Sequence, residues 1–154
     1  MELFKNIRCC CLCLVLATGL LTGCAGKTGE GQFAADLGAA FQNLHGDHDH
    51  LTLAHITRFG WDRMIVFSAN TPASQIAKTL GIPLPDAIRN TRIEERNDIN
   101  LMIFLQGDTI TQVSTIPRNV VDFIDAIDGV TLSNANAVFA KAAAGKTLML
   151  AALD

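Results

Sequence analysis

Ile99-Asn100-Leu101-Met102-Ile103-Phe104-Leu105-Gln106-Gly107-Asp108-Thr109-Ile110-Thr111-Gln112-Val113-Ser114-Thr115-Ile116 is the segment that most constrains the architecture. Ile99, Leu101, Ile103 and Leu105 alternate with Asn100, Met102 and Phe104, so the two faces differ little in polarity and a strand covered on both sides is expected. Gln106-Gly107-Asp108 supplies turn chemistry, and the threonines, isoleucines and valine that follow complete a hairpin.

Upstream, Trp61-Asp62-Arg63-Met64-Ile65-Val66-Phe67 is too short and too apolar for a surface helix and reads as a buried strand. Thr71 and Pro72 then offer an N-cap and a first-turn proline. Ile76 and Leu80 make a short apolar stripe, and Gly81 with Pro83 ends that helix. Phe33, Leu37, Phe41 and Leu44 recur at helical spacing, giving an amphipathic helix closed near Gly46. Downstream, Val120, Ile124 and Ile127 fit one more short helix before an Asp128-Gly129 turn. Residues 137–141 and 147–153 flank Ala144-Gly145-Lys146 as a second hairpin, although the alanines of 139–144 suit a helix equally well. This order has too few strand–helix alternations for a doubly wound sheet. The expected class is α+β, with a mainly antiparallel sheet of about four or five strands and two or three helices.

The whole chain has 154 residues and 16.5 kDa, with 49% apolar and 18% charged side chains, net charge −3, pI ≈ 5.7 and mean hydropathy +0.29. That length supplies one core. The acidic balance gives no footprint for phosphate backbones, which argues against nucleic-acid partners, and so apolar a chain buries enough surface to fold.

Part of the apolar content belongs to the amino terminus. Residues 1–23 hold 15 apolar side chains, with Lys5 and Arg8 followed by an uncharged run through Gly26. A positive start, an apolar core over 9–21 and small residues at Thr22 and Gly23 form the pattern of a cleavable export peptide. An uncleaved spanning helix, the rival reading, needs about 20 mostly apolar residues, more than this core provides.

Leu21-Thr22-Gly23-Cys24 resembles the lipobox of bacterial lipoproteins. The resemblance implies a diacylglyceryl group on the Cys24 sulfur, cleavage after Gly23 to give a signal peptide of residues 1–23, and acylation of the new amine. Ala25, standing where aspartate signals retention in the inner membrane, implies an outer-membrane lipoprotein facing the periplasm. Residues 24–31 then form the lipidated cysteine and a tether with glycines at 26, 29 and 31, and 32–154 the single globular domain. Removing Lys5, Arg8 and Glu2 leaves 10 basic and 14 acidic side chains, so anionic headgroups do not hold the processed surface by net charge. Cys9, Cys10, Cys11 and Cys13 leave with the signal peptide, and Cys24 alone remains. Neither an intrachain disulfide nor a thiolate zinc site is then available.

All four histidines lie between 45 and 55: His45, His48, His50 and His55, interleaved with Asp47 and Asp49. Imidazoles with carboxylates suit zinc, nickel or copper, so a divalent-metal-binding lipoprotein using the His45–His50 cluster is the alternative to a plain polar loop. In Trp61-Asp62-Arg63 the two charges point to opposite faces of a strand, and Arg118 is the expected partner of Asp62. Glu94 and Glu95 beside Arg92 and Arg96 read as a solvated loop or helix face.

Phe59-Gly60-Trp61-Asp62-Arg63, Thr71-Pro72, Leu80-Gly81, Ile99-Asn100-Leu101 with Phe104, and Pro117-Arg118 are loosely similar, over residues 51–140, to a group of small uncharacterised bacterial lipoproteins with a Trp-Asp-Arg/Lys strand. Those relatives carry Pro-Tyr before the threonine, where Ser68-Ala69-Asn70 stands here. The resemblance implies a shared fold and no activity.

No enzyme signature is present: Gly129 to Ser133 lacks a nucleophile elbow, Gly145-Lys146-Thr147 lacks the earlier glycine of a phosphate loop, and His55 has no evident serine or cysteine partner. The expectation is a non-enzymatic, lipid-anchored envelope lipoprotein, attached through palmitate-class chains on Cys24. It acts as a binding module toward another envelope protein, with no catalytic, cofactor or metal residue assigned.

Overall fold

Strand β3 (Ile99–Gln106) is buried at seven consecutive positions, and its environment organises the rest of the chain. The computed structural model describes residues 28–45, 49–123, 125–142 and 147–150. Its elements in chain order are α1 (Thr28–Gln42), β1 (His50–Thr52), β2 (Arg63–Phe67), α2 (Ala73–Leu80), α3 (Asp86–Arg89), β3, β4 (Thr109–Pro117), β5 (Asp122–Phe123), β6 (Thr131–Ser133), β7 (Val138–Lys141) and β8 (Thr147–Leu150). Single 3₁₀ turns occupy Leu53–His55, Ile93–Glu95 and Asp125–Ile127. The class is α+β, as the sequence pattern predicts, but the strands divide into two four-stranded sheets, ordered β4-β3-β2-β6 and β1-β7-β8-β5. All pairings are antiparallel except β5 with β8.

The β3–β4 hairpin closes as its sequence demands. Gln106 pairs with Thr109 across a two-residue loop, and Gly107 takes the positive φ of 56° that such a loop requires. The register shifts between Phe104 and Leu105, so Ile110 and Val113 both pack on one face although they are three positions apart, an odd spacing.

Side-chain alternation makes two cores from one sheet. Met64, Val66, Met102, Phe104 and Ile116 face α1, which contributes Phe33, Leu37 and Phe41, and the second sheet, which contributes Leu51, Phe139 and Leu148. Ile65, Phe67, Leu101, Ile103, Leu105 and Val113 face Ile76 of α2, Ile88 of α3 and Ile93. Phe104 is the hub of the first core. The rings of Phe33, Phe59 and Trp61 meet it edge-on at centroid distances of 5.3, 5.0 and 5.2 Å. Each fully buried large side chain contributes about 1.5–3 kcal/mol, so these two faces hold most of the stabilisation.

Helix α1 follows the Phe33–Leu44 stripe but begins at Thr28, so positions 28–31 of the expected tether are helical. Helix α2 ends as predicted, with Gly81 at φ 70° and its amide on the Ala77 carbonyl at 2.9 Å. Its start differs. Pro72 occupies the cap position, and the Thr71 hydroxyl donates to the Ser68 carbonyl at 2.6 Å instead of capping the helix. The cap comes from elsewhere: the Ala73 amide donates to Glu94 Oε2 at 3.1 Å. The charged segment around Glu94 is thus a 3₁₀ turn that closes a neighbouring helix. It is held against the Ser68-Ala69-Asn70 loop, where the Asn70 amide, at φ 63°, donates to the Ile93 and Arg96 carbonyls.

The helix expected over Val120, Ile124 and Ile127 does not form among the described residues. Val120 and Val121 close a turn on the Pro117 carbonyl at 2.9 and 3.2 Å, and Asp122–Phe123 pairs with β8. The second hairpin is present as β7 and β8, whereas the three-residue strands β1 and β6 are additions to the expected set.

Close approach of α1 to the 117–121 turn depends on Gly38, where a β-carbon would lie 2.7 Å from Val120 Cγ1. Alanine in a helix interior is favoured over glycine by about 1 kcal/mol. Overpacking against a side chain stiff at χ1 costs about 1–3 kcal/mol and outweighs that gain. Gly38→Ala is therefore expected to lower the urea midpoint, whereas the same change in a Val120→Ala background raises it relative to Val120→Ala alone.

Candidate functional site

At the base of the β3–β4 hairpin, opposite its turn, Asp98, Pro117, Arg118, Asn119 and Val120 line an open cleft of about 610 Å³. Local chemistry builds it. Pro117 terminates β4, and its carbonyl takes the amides of Val120 and Val121, which turns the chain sharply. The Arg118 amide donates to the Asp98 carbonyl at 2.9 Å, tying this turn to the segment that enters β3.

The cleft rests on one carboxylate. Asp122 Oδ1 accepts from Asn100 Nδ2 at 2.8 Å and from the Phe123 amide at 2.9 Å. Arg118 approaches the same carboxylate with Nε at 3.0 Å and Nη2 at 2.7 Å from Oδ2, a two-pronged pairing, while Arg118 Nη1 donates to the Asn97 carbonyl at 3.3 Å. Asn100 is 1% exposed on β3, so Asp122 satisfies an amide that would otherwise be stranded in the core. Arg118 is half-exposed at the cleft wall, at 44%, against 23% for Asp122.

Charge follows from this geometry. Burial acts to raise the Asp122 carboxyl, but the hydrogen bonds from Arg118, Asn100 and the Phe123 amide, with the Arg118 charge, outweigh it and hold the group below the ordinary aspartate range. The Arg118 guanidinium is raised in turn, first by its hydrogen bond to Asp122 and then by the charges of Asp122 and Asp125. On the rim, Arg96 and Asp98 pair at 2.6 Å, and this hydrogen bond raises the arginine and lowers the aspartate. The cleft therefore offers a guanidinium already oriented on an internal carboxylate. Such a group binds and positions; it has no proton to exchange near neutral pH.

Arg118 does not pair with Asp62, the partner expected from the sequence. The Asp62 carboxylate accepts the Gly107 amide at 2.6 Å and so clasps the hairpin turn, at the other end of the sheet from Arg118. Arg63 reaches Asp108 at 3.2 Å, and Trp61 Nε1 donates to Thr57 Oγ1 at 2.9 Å. Asp62 and Arg63 form no pair with each other, as their opposite strand faces require. Asp122 has no local signature in the sequence, because the apolar spacing around it reads as a helix. The available signal was Asn100, a polar side chain in a strand with both faces covered, which must have a partner.

The histidines are dispersed among the described residues. His45 is exposed and its amide donates to Asp49 Oδ2 at 2.7 Å, His50 lies exposed on β1, and His55 is exposed at the end of a 3₁₀ turn. Asp47 and His48 lie outside the described residues, as do Cys24 and Lys146. Among the described residues no group of three His, Cys, Asp or Glu side chains is arranged to hold a metal ion, and no helix is long and apolar enough to cross a membrane. Comparison with protein-family models, with curated proteins and with solved structures finds no match for this chain.

Removing the Asp122 carboxylate strands both Arg118 and the buried Asn100 amide, so Asp122→Ala is expected to cost on the order of 2–3 kcal/mol in urea denaturation. The folded protein holds this carboxyl below its unfolded value of about 3.9, so the unfolded chain takes up the proton first. The contribution is complete above about pH 4 and drains as the pH falls through the folded value. Denaturation between pH 6 and pH 3 is expected to show a smaller loss of stability in Asp122→Asn than in the parent.

Proposed function

We propose that this chain is a lipid-anchored envelope lipoprotein whose domain is a non-catalytic binding module in the periplasm. The observation that carries the reading is Leu21-Thr22-Gly23-Cys24 after an uncharged apolar run, four positions before Thr28, where the described residues begin. A thioether-linked diacylglyceryl group on Cys24 buries two acyl chains at about 0.8 kcal/mol per methylene, enough for permanent attachment without a spanning helix or a basic surface. Ala25 in the sorting position supports the outer membrane as the site of attachment.

The binding role is supported by the cleft at the base of the hairpin. Its perturbed groups, Arg118 with Asp122 and Arg96 with Asp98, each have a structural ion pair as the cause of the perturbation, which argues against acid–base chemistry there. Among the described residues Val130 is the only large apolar side chain that is exposed, at 39%. A partner is therefore met by the cleft and its polar rim, in a small and reversible interface with another envelope protein.

Radiolabelled palmitate is expected to enter the parent protein and not Cys24→Ser, which also moves from the membrane to the soluble fraction. Label persisting in Cys24→Ser overturns the anchor. A photocrosslinking side chain at Asn119 is expected to give a discrete adduct in intact cells that the same group at Lys78, on α2, does not. Equal adducts from both positions, or none from Asn119, count against binding through the cleft.

A further inference from the structure

We infer that the domain has a fixed polarity on the membrane, with the turn of the β3–β4 hairpin and the adjoining Arg58-Phe59-Gly60 loop against the lipid headgroups and the Arg118 cleft at the opposite, aqueous end. The inference rests on the lipid attachment at Cys24. Four peptide steps separate Cys24 from Thr28, and they reach at most about 14 Å. The bilayer surface is thus confined to the neighbourhood of whichever end of the fold carries the start of α1.

That end is the hairpin turn. Phe33, in the first half of α1, sits 5.3 Å from the Phe104 ring and 6.1 Å from Phe59, and Asp36 pairs with Arg58 at 3.6 Å. The same loop touches the turn itself, because a β-carbon at Gly60 would lie 3.1 Å from Gln106 Oε1. Further along the helix, Gly38 is against Val120, beside the cleft. Helix α1 therefore runs from turn to base, and Thr28 lies about 7 Å beyond Phe33 on the turn side, at 1.5 Å per residue. Strand β3, eight residues long, separates turn from base by about 25 Å, at about 3.3 Å per residue. A surface within about 14 Å of Thr28 touches the turn and leaves the base in water.

The side chains at the turn suit a headgroup layer. Arg58 is 80% exposed, and its single contact with Asp36 leaves the other guanidinium donors facing outward toward phosphates, while Phe59 beside it presents a half-buried ring. The acidic groups there are each engaged, Asp62 by the Gly107 amide and Asp108 by Arg63, which moderates their repulsion from anionic lipid. The cleft, held away from the bilayer, then faces ligands that approach through the periplasm and not lipids.

The test uses the acylated protein in vesicles of phosphatidylethanolamine and phosphatidylglycerol containing headgroup-nitroxide lipid. Cys24 sulfur is consumed by its thioether, so a single introduced cysteine takes a fluorophore selectively. Asp108→Cys and Thr109→Cys report on the turn, and Asn97→Cys reports on the base. Quenching at 108 and 109 several-fold stronger than at 97 is the expected result. Equal or inverted quenching in protein that floats with the vesicles overturns the polarity while leaving the anchor intact. Protein that fails to float overturns the anchor and the polarity together, so the two failures are told apart by flotation alone.

Discussion

A strand with no face left for water is the constraint from which this fold is built. Residues Ile99 through Leu105 of β3 are all buried, and no single covering layer can achieve that, since successive side chains point to opposite sides of the sheet. One cover comes from α1 and the second sheet, the other from α2, α3 and the turn around Ile93. The edges are assigned by the same requirement. β3 sits between β4 and β2 in the interior of its sheet, and the short strand β6 takes the far edge.

Burying both faces creates a problem at Asn100, whose amide has no water to turn to. The answer is the carboxylate of Asp122, which belongs to the strand that pairs with β8 of the other sheet. This contact therefore joins the two sheets chemically at the point where their shared core ends. Arg118 completes the carboxylate's partners from the turn between β4 and β5, and in doing so becomes the wall of a cleft. The net worth of such a partly buried pair is modest. Its consequence is positional, because losing one member leaves the others unpaired.

The path of α1 connects this architecture to the proposed role. A helix that passes from beside the hairpin turn over the first core to the base would, with the proposed lipid on Cys24, place the attachment at one end of the sheet and the cleft at the other. Gly38 and the 117–121 turn fix the depth at which that helix lies. The packing that buries Phe104 thus also sets which end of the fold the proposed anchor would hold against lipid.

The sequence by itself determined what depends on neighbours a few residues apart. The β3–β4 hairpin follows from alternating apolar residues around Gly107-Asp108, the end of α2 from Gly81, the buried β2 from its run of β-formers, and the α+β class from their order. The resemblance of Leu21-Thr22-Gly23-Cys24 to a lipobox, on which the proposed anchor rests, is likewise a contiguous pattern. Tertiary structure alone decided the contacts between distant residues. Asp122 as strand and not helix, Glu94 as the cap of α2 across 21 residues, and Asp62 on the Gly107 amide across 45 all lack a local signature. Strands of three residues such as β1 and β6 are too short to display a period, so only the sheets they join could create them. A hydrogen-bonding side chain can find its partner anywhere the folded chain brings one, and that proximity exists only after the cores have closed.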